Sequence, residues 1–577
     1  MTLPPACRSR FVRVACIVGA LALTALGRAA EGTADTAPVA LPPFLVEEPT
    51  KGPSWRYAYA AGYEVLSRCD ERTTRRVVEA HHRLHQLLEE ILPPSLQLSW
   101  TVPRALILYP EELQPAASRE VIEKMLRDKP NVPSVELDLP GRRTRLAEPA
   151  GRGARFLPNI RLWDRDSMTV FMIVRSDDFD GAKLSLTYDY ISFLVKHRVP
   201  GPPLWFVSGF LDLYREIKYE GSELVAKPLV WISDEHSDAL RNNYQTAPSV
   251  MEMDVFLSSG VPAVTLGDIP PLKRWQAQAA LFVRWGLDSG GRERREGFWK
   301  FTARCAQQAP TEALFQECFG MDFATAQAQL SAYLLTAVRK EPTYAPKRFA
   351  KLPPYTLLPA SDAQLARIKG DLERLEVPYV KNISADLGPK YLEQARKTLR
   401  KGYERASTDP QLLAILGLCE LEAGNLAAAR EYLESGAQIG GMRPRAFYEL
   451  AKLRLADLSR TPEGPDGKLS VSQLAEVLRP LFSARESLPP LYEVYELMAE
   501  AWAASAAPAS RRHLGVLDEG VRYFPRRLTL VLRTAELYSQ HGFRDEATAL
   551  LNIATQIADS DTSRERVAAL RSAVEGR

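Results

Sequence analysis

The sequence predicts two units of different class: an α+β N-terminal domain followed by an all-α solenoid of helical repeats. Two observations carry this. Up to about residue 340, short β-branched and aromatic runs alternate with amphipathic segments. Further on the pattern is helical and repeats with a measurable step: Pro410 to Pro444 and Leu416 to Leu450 are each 34 residues apart, with Gly417 and Ala451 in phase. A length of 577 residues is too great for one ordinary core, and two to four domains are expected. Apolar residues at 46% and charged residues at 25% are a globular composition. A formal charge of +3 implies no polyanion-binding surface, and RRTRLAEPAGRGAR has no interleaved aromatics, so no nucleic acid is expected as a partner.

The chain opens with Arg8, Arg10 and Arg13 before the apolar run VACIVGALALTALG (14–27), which ends in the small residues of GRAAEG. That is the layout of a secretory signal peptide over 1–30, with cleavage expected after Ala29. The apolar run is shorter than a membrane span needs, so no stable membrane insertion is expected after cleavage; a retained anchor is the alternative. The mature chain is then periplasmic or secreted. Residues 31–53, rich in Pro, Thr and Ala, read as a flexible lead. Cys69, Cys305, Cys318 and Cys419 are too few for a disulfide scaffold; Cys305 and Cys318 are near enough in sequence to pair, with isolated buried thiols the alternative.

The α+β domain is assigned to 54–340. GYEVLSRC reads as a strand, and TRRVVEAHHRLHQLLEEILP repeats apolar residues at helical spacing through Val77, His81, Leu84, Leu88 and Ile91. VPRALILYP is a second strand, SREVIEKMLRD a short helix, and LDLPGRRTRLAEPAGRGARFLPN a hairpin or loop. MTVFMIVRS is a third strand. Two helices follow, 181–197 and 203–218, across a Pro/Gly turn; PLVWIS reads as a short strand. From Leu272 to Lys340 the pattern is helical. Residues 341–384 form a Pro-rich connection and a helix.

Residues 385–577 are the repeat region. Its two clearest copies begin near Pro410 and Arg527, and Ala535, Tyr538, Gly542, Ala547, Leu551 and Ala554 follow the same pattern of small residues between large ones. Small residues at fixed points let two antiparallel helices approach closely. This resembles the tetratricopeptide repeat family, which implies a surface that binds protein or peptide. SRTPEGPDGKLSVSQ interrupts the phase and reads as a surface loop.

The stretch LTYDYISFLVKHRVPGPPLWFVSGFLDLY (186–214) has the helix–turn–helix layout on which several hydrolases hold zinc. Such a site needs imidazoles or carboxylates converging on the metal, plus a carboxylate acting on metal-bound water. PPLWFVSGFLDLY resembles the second helix of peptidase MA-like (gluzincin) domains, with Pro203, Trp205 and Gly209 at the family's proline, tryptophan and glycine. Leu211 and Leu213 replace its alanine and tyrosine, and Tyr214 comes one place late. The resemblance covers roughly 62–340 and implies a gluzincin-like α+β fold. It puts Ser208 at the third ligand, a glutamate in the family. YDYIS aligns with HExxH, putting Tyr188 at the first histidine, Asp189 at the catalytic glutamate and Ser192 at the second histidine. Two hydroxyls and a phenol are a poor set for zinc. The resemblance therefore implies a domain without its zinc ligands: no catalytic residue, metal or cofactor is expected. Tyr188, Trp205 and Tyr214 are candidates to line a former cleft, with core packing as the alternative.

Other groupings are weaker. His81 and His85 are one helical turn apart beside His82, and pair with a metal only if a third group arrives from elsewhere; packing and surface roles are the alternative. His197 suits a helix C-terminus. DEHSD, with His236 among three acids, reads as a polar loop. No G-x-S-x-G elbow or phosphate loop occurs. The function expected is that of an exported, non-catalytic binding or scaffold protein, a pseudo-peptidase domain joined to a solenoid that binds protein or peptide. A zinc metallopeptidase with atypical ligands and an architectural component of an envelope assembly are the alternatives.

Overall fold

The computed structural model describes residues 52–93, 103–110, 113, 134–139, 142–147, 159–174, 198–214, 217–220, 223–242, 248–258, 271–288, 291–344, 351–383, 387–406, 408–558 and 560–576. All of them belong to one compact unit formed by Pro49–Gln114 and Lys129–Arg577. The signal segment 1–30, the lead up to 51, the helix read at SREVIEKMLRD and the first helix of the quoted stretch lie outside the described residues.

The sheet is built around β1 (Arg56–Ala60), β2 (Tyr63–Ser67), β3 (Arg104–Pro110), β6 (Asn159–Trp163) and β7 (Met168–Val174). β1 and β2 form a hairpin through Ala61 and Gly62, both left-handed, as a two-residue turn matched to strand twist demands. β2, β3 and β7 run parallel, and β6 closes one edge antiparallel to β7. β3 reads as an unbroken apolar run because it is covered on both faces: Leu106, Ile107, Leu108 and Tyr109 are all buried. The helix between β2 and β3, α1 (Glu71–Ile91), starts where Asp70 accepts from the Thr73 amide at 2.8 Å. β4 (Ser134–Leu139) and β5 (Arg142–Ala147) form a hairpin in the charged passage, which reads as a hairpin or loop.

After α2 (Leu204–Tyr214), the hairpin β8 (Ile217–Glu220) and β9 (Glu223–Ala226) is joined by β10 (Thr343–Tyr344). Helices α3 (Asp234–Arg241), α4 (Met253–Leu257), α5 (Pro271–Asp288), α6 (Gly291–Cys305), α7 (Glu312–Phe319) and α8 (Phe323–Arg339) complete this half. Three expectations are corrected here. The helix read over 203–218 ends at Tyr214, and 217–220 form β8. PLVWIS forms no strand: Ile232 is left-handed, and the buried Trp231 donates its amide to Ser237 Oγ at 2.8 Å. DEHSD is not a loop but the first turn and a half of α3, capped by Ser233, so His236 is a helix-start residue hydrogen-bonded to the cap.

The Pro-rich connection adds β11 (Leu358–Pro359) to the free edge of β1, giving the order β11-β1-β2-β3-β7-β6. It then enters α9 (Asp362–Ile383). The helices that follow are α10 (Leu387–Tyr403), α11 (Pro410–Glu422), α12 (Leu426–Ile439), α13 (Pro444–Leu458), α14 (Val471–Glu486), α15 (Tyr492–Ala503), α16 (Arg511–Tyr523), α17 (Leu528–Gln540), α18 (Arg544–Ile557) and α19 (Asp561–Glu575). They pack as successive hairpins, α9 with α10, α11 with α12, α13 with α14, α17 with α18. The first helices of neighbouring hairpins also touch, α9 to α11, α13, α15, α17 and α19 in turn. This is an all-α, tetratricopeptide-like repeat solenoid with a layer of first helices. Gly417 shows why its phase is kept: a Cβ there would stand 2.5 Å from Leu433 Cγ on the paired helix. The insertion read as a surface loop is pinned, since buried Leu469 receives an amide from Ala506 and donates its own to Ala504.

Candidate functional site

Two regions carry the functional reading: helix α2, where the resemblance puts a metal site, and the layer of first helices. Pro203 ends the turn and its carbonyl accepts from the Phe206 and Val207 amides at 3.0 and 3.1 Å, which starts α2. The helix is apolar nearly all round, as suits a helix inside a core: Phe206, Phe210, Leu211 and Leu213 are buried with Trp205. The Trp205 ring meets Phe282 edge-on at 5.0 Å and stacks on Phe301 at 5.9 Å, with Phe298 at 5.8 Å. It is 4% exposed and sits in the aromatic core that α2 shares with α5 and α6. Ser208 is also 4% exposed. Gly209 lies where α2 crosses α5, and a Cβ there would run into the Ala279 carbonyl. Tyr214 is the last residue of α2.

Tyr188, Asp189 and Ser192 lie outside the described residues, so Ser208 is the one residue of that set with a described side chain. Its hydroxyl keeps its proton at neutral pH and is a weak donor to zinc, so the donor set does not fit that metal. Among the described residues, no group of three His, Cys, Asp or Glu is placed to hold a metal ion. No helix among them is long and apolar enough to cross a membrane.

Of the histidine cluster on α1, His81 and His85 form a buried polar packing group, and His82 is half-buried. His81 lies edge-on to the Tyr63 ring and its Nδ1 is 3.0 Å from the Val77 carbonyl. His85 stacks on Tyr63, and its Nε2 is 3.4 Å from both Tyr63 Oη and Arg104 Nη1. Burial first, then the Arg104 guanidinium, hold its imidazole well below its ordinary range, so it is neutral at pH 7. A guanidinium at that distance opposes a metal cation. Cys69, Cys305, Cys318 and Cys419 are free thiols, and burial pushes Cys305 well above its usual range.

The layer of first helices offers a different surface. On α15, Tyr492, Glu493, Glu496 and Glu500 share one face, while Val494, Tyr495, Met498 and Ala501 turn into the core. Arg527, just before α17, lies 3.5 Å above the Tyr492 ring centroid. Arg533 on α17 pairs with Glu500 at 3.2 Å. Glu493 pairs at 3.3 Å with Arg165, which also lies over Tyr448 of α13 at 5.7 Å. Burial raises the Glu496 carboxyl; Arg527 and Arg533 oppose the rise, while Glu493 and Glu500 add to it. The surface thus alternates aromatic rings with both signs of charge, half-buried at Tyr448, Tyr492, Glu493, Glu496 and Arg527 and exposed at Arg165, Glu500 and Arg533. Sequence reasoning missed these residues, although LYEVYELMAEAWA carries the signal: Tyr492, Glu496 and Glu500 recur at four-residue steps beside an apolar stripe.

No protein-family model and no curated protein matches this chain. Among solved structures it is similar to YrrB, described as a TPR protein with an unusual peptide-binding site, at 15% identity over 33% of this chain and 88% of that one, with a TM-score of 0.25. It is also similar to TTC0263, a thermophilic TPR protein of Thermus thermophilus, at 20% identity over 34% of this chain and 98% of that one, with a TM-score of 0.23. The P58(IPK) TPR domain matches at 14% identity over 53% of this chain and 86% of that one, with a TM-score of 0.14. At these scores nothing further about this chain follows from them; its repeat architecture rests on its own helix pairing.

Proposed function

We propose that this is an exported, non-catalytic binding or scaffold protein in which the layer of first helices takes a protein or peptide segment and the N-terminal domain is a pseudo-peptidase. The observation that carries the reading is the half-buried face made by Tyr448, Tyr492, Glu493, Glu496 and Arg527, where rings and charges of both signs lie across successive hairpins. Such a face recognises an extended or helical segment through side-chain contacts, with rings supplying area and charges supplying register. The pseudo-peptidase part rests on the resemblance, which puts hydroxyls and a phenol at positions that a gluzincin fills with imidazole and carboxylate.

The test uses purified mature protein. Peptides recovered from a display library should lose most of their affinity, about tenfold or more, for the doubly changed Tyr492→Ala, Arg527→Ala protein. Recovery of the same peptides at unchanged affinity removes the binding reading. Metal analysis and a casein-cleavage assay with and without chelator test the other half. Stoichiometric zinc with chelator-sensitive cleavage overturns the pseudo-peptidase reading.

A further inference from the structure

The turn between β6 and β7 reads Asp164-Arg165-Asp166-Ser167 and is closed by the Asp164 amide donating to the Ser167 carbonyl at 2.8 Å. It meets the start of α13, where the chain reads Arg443-Pro444-Arg445. Helix α13 lacks a cap of its own, because its N-cap residue is Arg443, whose side chain makes no such bond. Asp166 supplies the cap from 279 residues away: Oδ2 accepts from the Arg445 amide at 2.8 Å, while Oδ1 accepts from Arg443 Nε at 2.8 Å.

The contact continues as a lattice. Arg443 also donates to Ser167 Oγ, to Asp164 at 3.3 Å and to Asp371 of α9 at 3.1 Å. Arg374 of α9 donates to Asp164 at 2.8 Å, to Asp371 at 2.7 Å and to Glu422 of α11 at 2.8 Å. Arg445 closes the ring onto Asp164 and Glu422. Arg374, Arg443 and Asp166 are each less than 5% exposed. Burial works against ionising Asp164, yet Arg374, Arg445 and Arg443 together hold its carboxyl far below the usual range. A second clamp lies nearer the start of α9, where Arg367 makes a two-pronged pair with Glu64 of β2.

Buried guanidiniums and carboxylates matched to this degree are stable only with every partner in place. Pulling the two halves apart strands several charges at once. We propose that the α+β domain is locked onto the layer of first helices by Asp166, which caps α13 from the β6–β7 turn, so that sheet and repeats unfold and move as one unit. Arg165, on the exposed side of the same turn, is then delivered onto Tyr448 and Glu493 in a fixed position.

Calorimetry and hydrogen exchange on the full chain test this. The wild-type protein should unfold in one transition, with slow amide exchange in the first turn of α13. Asp166→Ala should split the transition in two and speed exchange there by on the order of tenfold or more. Arg292→Ala, which removes an exposed pair within α6, should leave both unchanged. If Asp166→Ala does not fold, Asp166→Asn decides by the same readouts: a split transition with faster exchange in the first turn of α13 supports the lock, and a single transition with α13 still protected overturns it. Two separate wild-type transitions, or an Asp166→Ala protein whose single transition merely shifts while α13 keeps its protection, also overturn it.

Discussion

Replacing Gly209 by alanine puts the packing of the helix pair to its sharpest test. The added Cβ would stand 2.8 Å from Val283 Cγ2 and closer still to the carbonyl of Ala279, both on α5. A methyl group next to Val283 can be relieved by a rotamer change, but a helical carbonyl cannot turn aside without breaking its own ladder. Restoring ordinary contact requires α2 and α5 to separate by about 1 Å. That separation loosens the Trp205–Phe282 edge contact, now at 5.0 Å. Overpacking of this kind costs about 1–3 kcal/mol, and a backbone clash belongs at the upper end. Urea unfolding followed by tryptophan fluorescence should therefore show about 3 kcal/mol of lost stability with an unchanged slope. Gly515→Ala is the control: it lies in α16 with only the flexible Arg511 guanidinium near, at 3.4 Å, and should gain up to about 1 kcal/mol. A Gly209→Ala protein within about 0.5 kcal/mol of wild type refutes the close-approach reasoning.

Three further outcomes follow from buried charge. His85 titrates below its ordinary 6.5 when folded, so the unfolded chain takes up a proton first and stability falls as pH drops below about 6.5; His85→Gln should flatten the decline in urea midpoint between about pH 7.5 and 5.5. Glu376 of α9 is 1% exposed, and burial, then Glu373, raise its carboxyl well above its ordinary 4.5. The unfolded chain therefore ionises first and stability is lost as pH rises above about 4.5, so Glu376→Gln should reduce that loss in a pH series of unfolding temperatures. Glu420 is fully buried and accepts from Arg396, Arg400 and Asn425, so Glu420→Ala should cost about 2 kcal/mol in chemical denaturation, more than any exposed pair in the repeats.

Long periodic segments were legible, and so were strands whose burial shows as an unbroken run. VPRALILYP and MTVFMIVRS announce β3 and β7 because both faces are covered, and Ala535, Tyr538, Ala547 and Leu551 announce α17 and α18 because small and large side chains alternate between touching helices. β1 and β6 were not legible. RYAYA and NIRLW lie at or near sheet edges, and each mixes charged or polar residues into a five-residue run, so the apolar signal is diluted. PLVWIS misled because a short apolar run says buried without saying extended, and a left-handed Ile232 breaks the strand. Of the candidate site, Trp205 and Gly209 were recognised as positions, and the structure gives both a packing reason. The lock between sheet and solenoid left only a faint mark: D-R-D in one place and R-P-R in another. Nothing local ties two charge triplets across 279 residues.

That separation also sets an order of events while the chain is being made. At about 5–20 residues per second, roughly 15–55 seconds pass between synthesis of Asp166 and of its partner Arg445. Where the chain folds as it emerges, β6 is through that interval an edge strand with nothing docked against its turn, and an unprotected edge invites pairing with another chain. The acids that later anchor α13 keep that waiting edge charged and hydrated. Neutralising them should therefore lower the yield of soluble protein during synthesis even where the finished molecule tolerates the change.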